Sequence, residues 1–235
     1  MERYKEEVTV QHASIVEAQK EYLAKVYAWM VGGLVTTGIV SAIILSSDSF
    51  TGWLEQNFTF VWILFFVKLF MVGWLAGWTN KMSAATATGT FLAYAGLNGV
   101  TLSMLALRYT TESIAASFFM AAAMFAAMSV YGFVTKRDLS GIGSFMFMGL
   151  IGIIIASVAN VWIGGSALHF AISVAGVVIF TGLTAYDTQK IKEMYLVELE
   201  GGAVARKTAI LGALSLYLDF INLFIFLLRL LGSRR

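Results

Sequence analysis

A chain of 235 residues that is 59% hydrophobic and 13% charged departs from the globular balance of about half apolar and about a quarter charged, and this points to lipid as its solvent. A formal charge of +2, spread along the chain, excludes a nucleic-acid surface. With no cysteine there are no disulfides or thiolate metal sites, and His12 and His169 stand too far apart for a histidine-rich one.

Residues 1–25 carry Glu2, Arg3, Lys5, Glu6, Glu7, Glu17, Lys20, Glu21 and Lys25, too polar for a cleavable signal peptide. They are expected to form a cytoplasmic N-terminal segment, with 26–235 a single transmembrane helical domain whose first span is the insertion signal. Ser14 followed by Glu17 reads as a capping box that opens a helix into the membrane.

About 20 apolar helical residues cross a bilayer, and seven stretches qualify: 26–45, 58–79, 84–107, 113–134, 142–163, 168–189 and 210–231. A spanning segment must satisfy its own backbone hydrogen bonds, and these continuous apolar runs lack the alternation of a barrel strand. The expected fold is therefore all-α, a polytopic membrane protein of about seven helices.

Gly73 with Gly77, and Gly149 with Gly152 and Ala156, are spaced for close helix packing within the bundle. The longest connection, 190–209, is polar and reads as a solvated loop with helical extensions.

With the N-terminus inside, Arg3, Lys5, Lys20, Lys25, Lys81, Lys136, Arg137, Lys190, Lys192, Arg206 and Lys207 lie on the cytoplasmic side, against Arg108 outside. Seven full spans place Arg234 and Arg235 outside against that rule, whereas a re-entrant segment would keep the tail inside; seven is the expectation.

Ionisable residues inside apolar spans cost several kcal/mol and mark functional sites. Lys68, Asp187 and Asp219 are of this kind. Ser215 and Asn222 share the Asp219 face at i−4 and i+3, so the last span has one polar stripe and belongs at the centre of the bundle. Asp187, with Thr184 and Lys190 a turn away on either side, is either an interfacial carboxylate paired with Lys190 or Lys192, or the partner of Asp219.

Two carboxylates on consecutive antiparallel helices cannot both ionise cheaply in a low dielectric; they would share a proton and titrate in coupled steps. Such a pair can act as a pH-sensitive latch or offer oxygen ligands to Ca²⁺. Lys68 either snorkels or neutralises an aspartate, and Lys81 is an alternative counter-charge for Asp187.

The run Thr181-Gly-Leu-Thr-Ala-Tyr-Asp-Thr-Gln-Lys190, the run Leu214-Ser-Leu-Tyr-Leu-Asp-Phe-Ile-Asn-Leu-Phe224 and the loop Lys136-Arg-Asp-Leu-Ser140 closely resemble motifs of the Bax-inhibitor (TMBIM, or lifeguard) family. The short loops resemble its bacterial inner-membrane members. The resemblance implies a seven-helix fold with two three-helix layers around a central last helix. It also implies a pH-sensitive aspartate dyad controlling a Ca²⁺ leak, which maps onto Asp187 and Asp219, and a basic latch partner near the inner end of the second helix, where Lys81 stands. No cofactor is expected; Ca²⁺ is the transported ion, and the partners are the lipid bilayer, Ca²⁺ and protons.

The main reading is thus a Ca²⁺ leak channel. A proton-coupled secondary transporter would use the same aspartates as carriers. A regulator bound to a membrane protease or another membrane complex would not need them to ionise. An aspartyl-protease reading is disfavoured, because Leu216-Tyr-Leu-Asp219 has no glycine and the chain has no proline; no enzymatic activity is expected.

Overall fold

The computed structural model describes residues 2–78, 81–195 and 202–234, which are almost wholly helical. The helices are α1 (Glu2–Leu45), α2 (Asp48–Gln56), α3 (Phe58–Trp78), α4 (Ala84–Ala106), α5 (Thr111–Val134), α6 (Ser140–Ile163), α7 (Ser166–Glu193) and α8 (Gly202–Leu231).

The polar N-terminal segment does not form a separate unit. α1 runs unbroken from Glu2 to Leu45, so Ser14 and Glu17 lie inside the helix and cap nothing. No glycine or proline occurs before Gly32, and the Glu, Ala, Lys and Gln of 2–25 are strong helix formers, so the span simply extends. Elsewhere capping is local: Ser83 and Thr110 accept hydrogen bonds from the N–H groups of Thr86 and Ser113 and open α4 and α5. Gly164, with φ of 65°, takes the left-handed conformation that ends α6. The short α2, capped by Ser47, fills a connection in which no helix is predicted.

Five helices are long and apolar enough to cross a membrane among the described residues: Ser14–Leu45, Thr111–Val134, Ser140–Ile163, Ser166–Glu193 and Val204–Leu231. α3 contributes a shorter apolar stretch, Trp62–Leu75, and α4 is rich in Thr, Gly, Ser and Asn, which lowers its hydropathy.

α8 sits at the centre, packed against α1, α4, α5 and α7, while α6 lies outside α7 and α3 outside α4. Burial follows this order: 72% of the apolar window of α8 is buried against 11% of that of α6. Ile210, Ala213, Leu216, Tyr217 and Leu223 of α8 are fully enclosed. α1 runs parallel to both α4 and α8, since Gly33 meets Phe91 and Tyr217, Gly99 meets Thr37 and Val40, and Gly212 meets Val26. The C-terminal end of α8 therefore lies at the opposite end of the bundle from the start of α1. There Tyr109 and Arg234 form a β-bridge and the Thr110 N–H donates to the Ser233 carbonyl at 3.1 Å.

Close packing relies on glycines other than those the spacing singles out. A Cβ on Gly73, Gly77 or Gly152 would meet open space, so these stripes do not serve helix contact within the bundle; Gly149 does approach Ile179. The tight crossings are Gly132 on the Ala185 backbone, Gly143 on the Tyr186 ring and Gly176 on the Phe226 ring. A side chain at Gly132 must push α5 off the α7 backbone, which cannot yield as a flexible side chain can. Gly132→Ala is thus expected to destabilise by about 1–3 kcal/mol, an overpacking cost, with Gly141→Ala, whose Cβ points into open space, as the neutral control in thermal unfolding.

Candidate functional site

The α7–α8 contact sets the site. It is antiparallel, running from Gly176 and Phe180 against Phe226 to Ile191 against Gly212. Asp187 lies between these levels on the same face of α7, at helical spacing from Phe180 and Ile191, and so comes level with the turn of α8 that holds Ser215 and Asp219. The two carboxylates are within electrostatic reach of one another. Asp219 is 4% exposed and its Oδ2 is buried without a hydrogen-bond partner among the described residues, while Asp187 is half-buried.

The flanking polar groups serve their own helices. Thr184 Oγ1 donates to the Phe180 carbonyl at 2.7 Å and Asn222 Nδ2 to the Leu218 carbonyl at 2.8 Å, and Ser215 is half-buried. Thr188, next to Asp187, faces α1 and α5: its hydroxyl donates to Ser129 Oγ at 3.4 Å and lies 3.5 Å from the Tyr27 hydroxyl. A groove of about 520 Å³ opens here beside Lys20, Tyr27, Ser129, Phe133 and Thr188.

The expected counter-charges are placed otherwise. Neither aspartate makes an ion pair among the described residues. Lys190 lies 5.8 Å over the Tyr186 ring and acts on Asp187 electrostatically without contact, and Lys192 donates to the Phe133 carbonyl at 2.9 Å, so neither lysine forms a close ion pair with Asp187. Lys81 is exposed, 5.9 Å over the Trp78 ring. Lys68 neither snorkels nor meets an aspartate: its Nζ donates to Thr101 Oγ1 at 2.8 Å and Asn98 Oδ1 at 3.3 Å on α4.

Asn98 Nδ2 also donates to the Tyr94 carbonyl at 3.3 Å, and the Tyr217 hydroxyl donates to Thr37 Oγ1 at 2.7 Å, which in turn donates to the Ala95 carbonyl at 2.8 Å. Polar contacts thus tie α3 to α4 and, through Tyr217 two residues before Asp219, tie α8 to α1 and α4. Neither Asn98 nor Thr37 is singled out by sequence reasoning, because both look like ordinary small polar residues in apolar helices. Tyr217 lies inside the recognised motif and carries the only available signal.

Gln189 ties the 181–190 run to the 136–140 loop in space. Its Nε2 donates to the Arg137 carbonyl at 2.8 Å and its Oε1 accepts from the Leu139 N–H at 2.9 Å, clasping the α5–α6 loop to α7 two residues from Asp187. Asp138 Oδ1 accepts from the Ser140 N–H at 2.8 Å at the start of α6, a bond that holds this exposed carboxyl below its ordinary pKa. Gln189→Leu removes both clasps and leaves a buried N–H unpaired, for an expected loss of about 1–3 kcal/mol, measured as a fall in Tm; an unchanged Tm would show the loop held by other contacts.

Among the described residues no three His, Cys, Asp or Glu side chains converge. Two carboxylates fall short of the six to eight oxygen ligands of a resident Ca²⁺ site.

A family model described as "Inhibitor of apoptosis-promoting Bax1" matches residues 19–235. The chain is 46% identical to the inner membrane protein YbhL of Escherichia coli K12 over 215 residues, covering 91% of this chain and 92% of that one. It is 43% identical to an uncharacterized protein of Rickettsia prowazekii over 227 residues, 97% of this chain and 95% of the relative, and 42% identical to one of Borreliella burgdorferi over 217 residues, 92% and 94%. With the family match spanning all but the first turns of α1, and its two longest motifs building the α7–α8 contact, the chain is a helical membrane protein that belongs to the Bax inhibitor family.

Proposed function

We propose that this protein is a pH-sensitive Ca²⁺ leak of the bacterial inner membrane, gated by Asp187 and Asp219. The observation that carries the reading is an almost fully enclosed Asp219 carboxyl with an unpartnered oxygen, within reach of a second carboxylate on the adjacent helix. A buried, unpaired acid is expensive in a membrane interior and is retained where ionisation does something. With one proton shared, the pair holds α7 against α8; with the proton balance changed, the helices part and the carboxylates line a cation path.

In this reading α3 and α4 also cross the bilayer, for seven spans, with Lys68 satisfied by α4 inside the protein. In the same reading the N-terminus is cytoplasmic and the C-terminus lies across the membrane, which the parallel course of α1 and α8 supports. Reporter fusions after residue 138 are expected to read cytoplasmic, and a fusion after residue 234 periplasmic. A cytoplasmic report from the latter would mean an even number of crossings.

The decisive experiment is Ca²⁺ flux into liposomes containing the purified protein, over a range of pH. A flux that follows the Ca²⁺ gradient and changes with pH supports the leak. Flux driven only by an imposed proton gradient means a transporter, and no flux at any pH means a regulator of other membrane proteins.

A further inference from the structure

The positive charges at the α8 C-terminal end of the bundle gather in one place. A cavity of about 530 Å³ lies between the ends of α4, α6, α7 and α8. Arg108, Arg229, Arg234 and His169 line it, together with Tyr109 and Asn160. No carboxylate lines it among the described residues; Glu112, in the nearby first turn of α5, is exposed and not part of the wall.

These basic groups come from four separate parts of the chain. Arg108 stands in the α4–α5 connection, His169 in the first turn of α7, Arg229 in the last turn of α8, and Arg234 on the strap bridged to Tyr109. Arg229 and Arg234 both act electrostatically on His169, and Arg229 also lies 5.7 Å over the Phe226 ring, which fixes its direction. The three guanidinium groups add to one positive field at the mouth of the cavity, which favours an anion there. The backbone does the assembling: the Thr110–Ser233 hydrogen bond and the Ser233 N–H to Ser113 Oγ bond of 2.9 Å hold the Arg234 strap against the Arg108 loop.

A second observation is independent of charge. Asn160 Oδ1 is buried and has no hydrogen-bond partner among the described residues. An acceptor beside guanidinium forks suits a ligand that brings both oxyanion and hydroxyl. The cavity is within the range of small-molecule sites, about 300–1,000 Å³, and larger than a bare oxyanion needs.

We infer that this cavity is a binding site for a phosphoryl group, with Arg108, Arg229 and Arg234 as the anion-holding residues and Asn160 accepting from a hydroxyl on the same ligand. Arginine presents a planar fork that matches phosphate oxygens bidentately, and three forks at a bilayer edge can hold the phosphoryl group of an anionic lipid headgroup or a phosphate from solution. The site lies at the opposite end of the bundle from the start of α1 and does not depend on the ion-flux reading.

The test uses the full-length protein in nanodiscs of phosphatidylcholine titrated with inorganic phosphate, and in discs containing phosphatidylglycerol, with Tm as readout. The expected result is a saturable rise of a few degrees with phosphate, absent with sodium chloride at the same ionic strength. If the lipid headgroup is the source, phosphatidylglycerol discs give the rise unaided and blunt the response to phosphate. The double variant Arg108→Gln, Arg234→Gln should lose the response; both side chains are exposed and the strap is held by backbone bonds, so the fold is kept. Arg108→Lys with Arg234→Lys, which keeps charge and loses the forks, should keep a weakened response. A wild-type response equalled by sodium chloride, or one undiminished in the Gln variant, overturns the inference.

Discussion

Asp219→Asn is expected to remove the pH dependence of Ca²⁺ flux while leaving a folded, membrane-inserted protein. Asparagine matches aspartate in size and still hydrogen-bonds, but it carries no titrating proton. Because Asp219 is enclosed and one oxygen has no partner, the substitution replaces a group that can become an unpaired buried charge with one that cannot, and stability should hold or rise. Asp187→Asn should act in the same direction. If the two form one latch, the double variant should differ from either single far less than the sum of their effects, because interacting residues are non-additive. Additive effects would mean two independent acids, and unchanged pH dependence in both singles would end the latch mechanism.

Tyr217→Ala is expected to be the most destabilising single substitution in α8. The ring is fully buried, meets Phe91 and Tyr94 edge-on at 5.7 and 6.1 Å, and its hydroxyl bonds Thr37. Truncating a buried aromatic leaves a cavity and costs about 3–5 kcal/mol. Tyr217→Phe isolates the polar part: only the hydroxyl goes, Thr37 keeps the Ala95 carbonyl, and the loss should be about 1 kcal/mol. Thermal unfolding of the two variants separates packing from hydrogen bonding. Equal losses would show that the hydroxyl, not the ring, holds α8 to α1.

The later spans were legible because hydrocarbon imposes a length. The predicted 113–134, 142–163, 168–189 and 210–231 all fall within α5, α6, α7 and α8. The start of α1 was not legible, since nothing in residues 2–25 ends a helix once water replaces lipid around it. α2 is too short to leave a periodic signal. At the site, Asp187 and Asp219 stand out because a carboxylate in an apolar helix is rare. Their neighbours do not: the partners of Lys68 lie 30 and 33 residues away on α4, and Gln189 reaches back 50 and 52 residues to the α5–α6 loop. Arg229 carries no signal for a related reason, as it sits in the last turn of an apolar helix where a cation is ordinary.

The place of α8 bears on how the protein is made. Synthesis delivers α1 through α7 to the membrane before α8, yet α8 is the helix around which α1, α4, α5 and α7 pack. Until it arrives, Thr37, Phe91 and Gly176 have no partner from that helix, and only the α1–α4 and α5–α6–α7 contacts can form, with nothing at their centre. Ribosomes stalled before codon 202 should therefore yield a protease-sensitive, readily extracted intermediate, and release of α8 should convert it to the resistant form in one step.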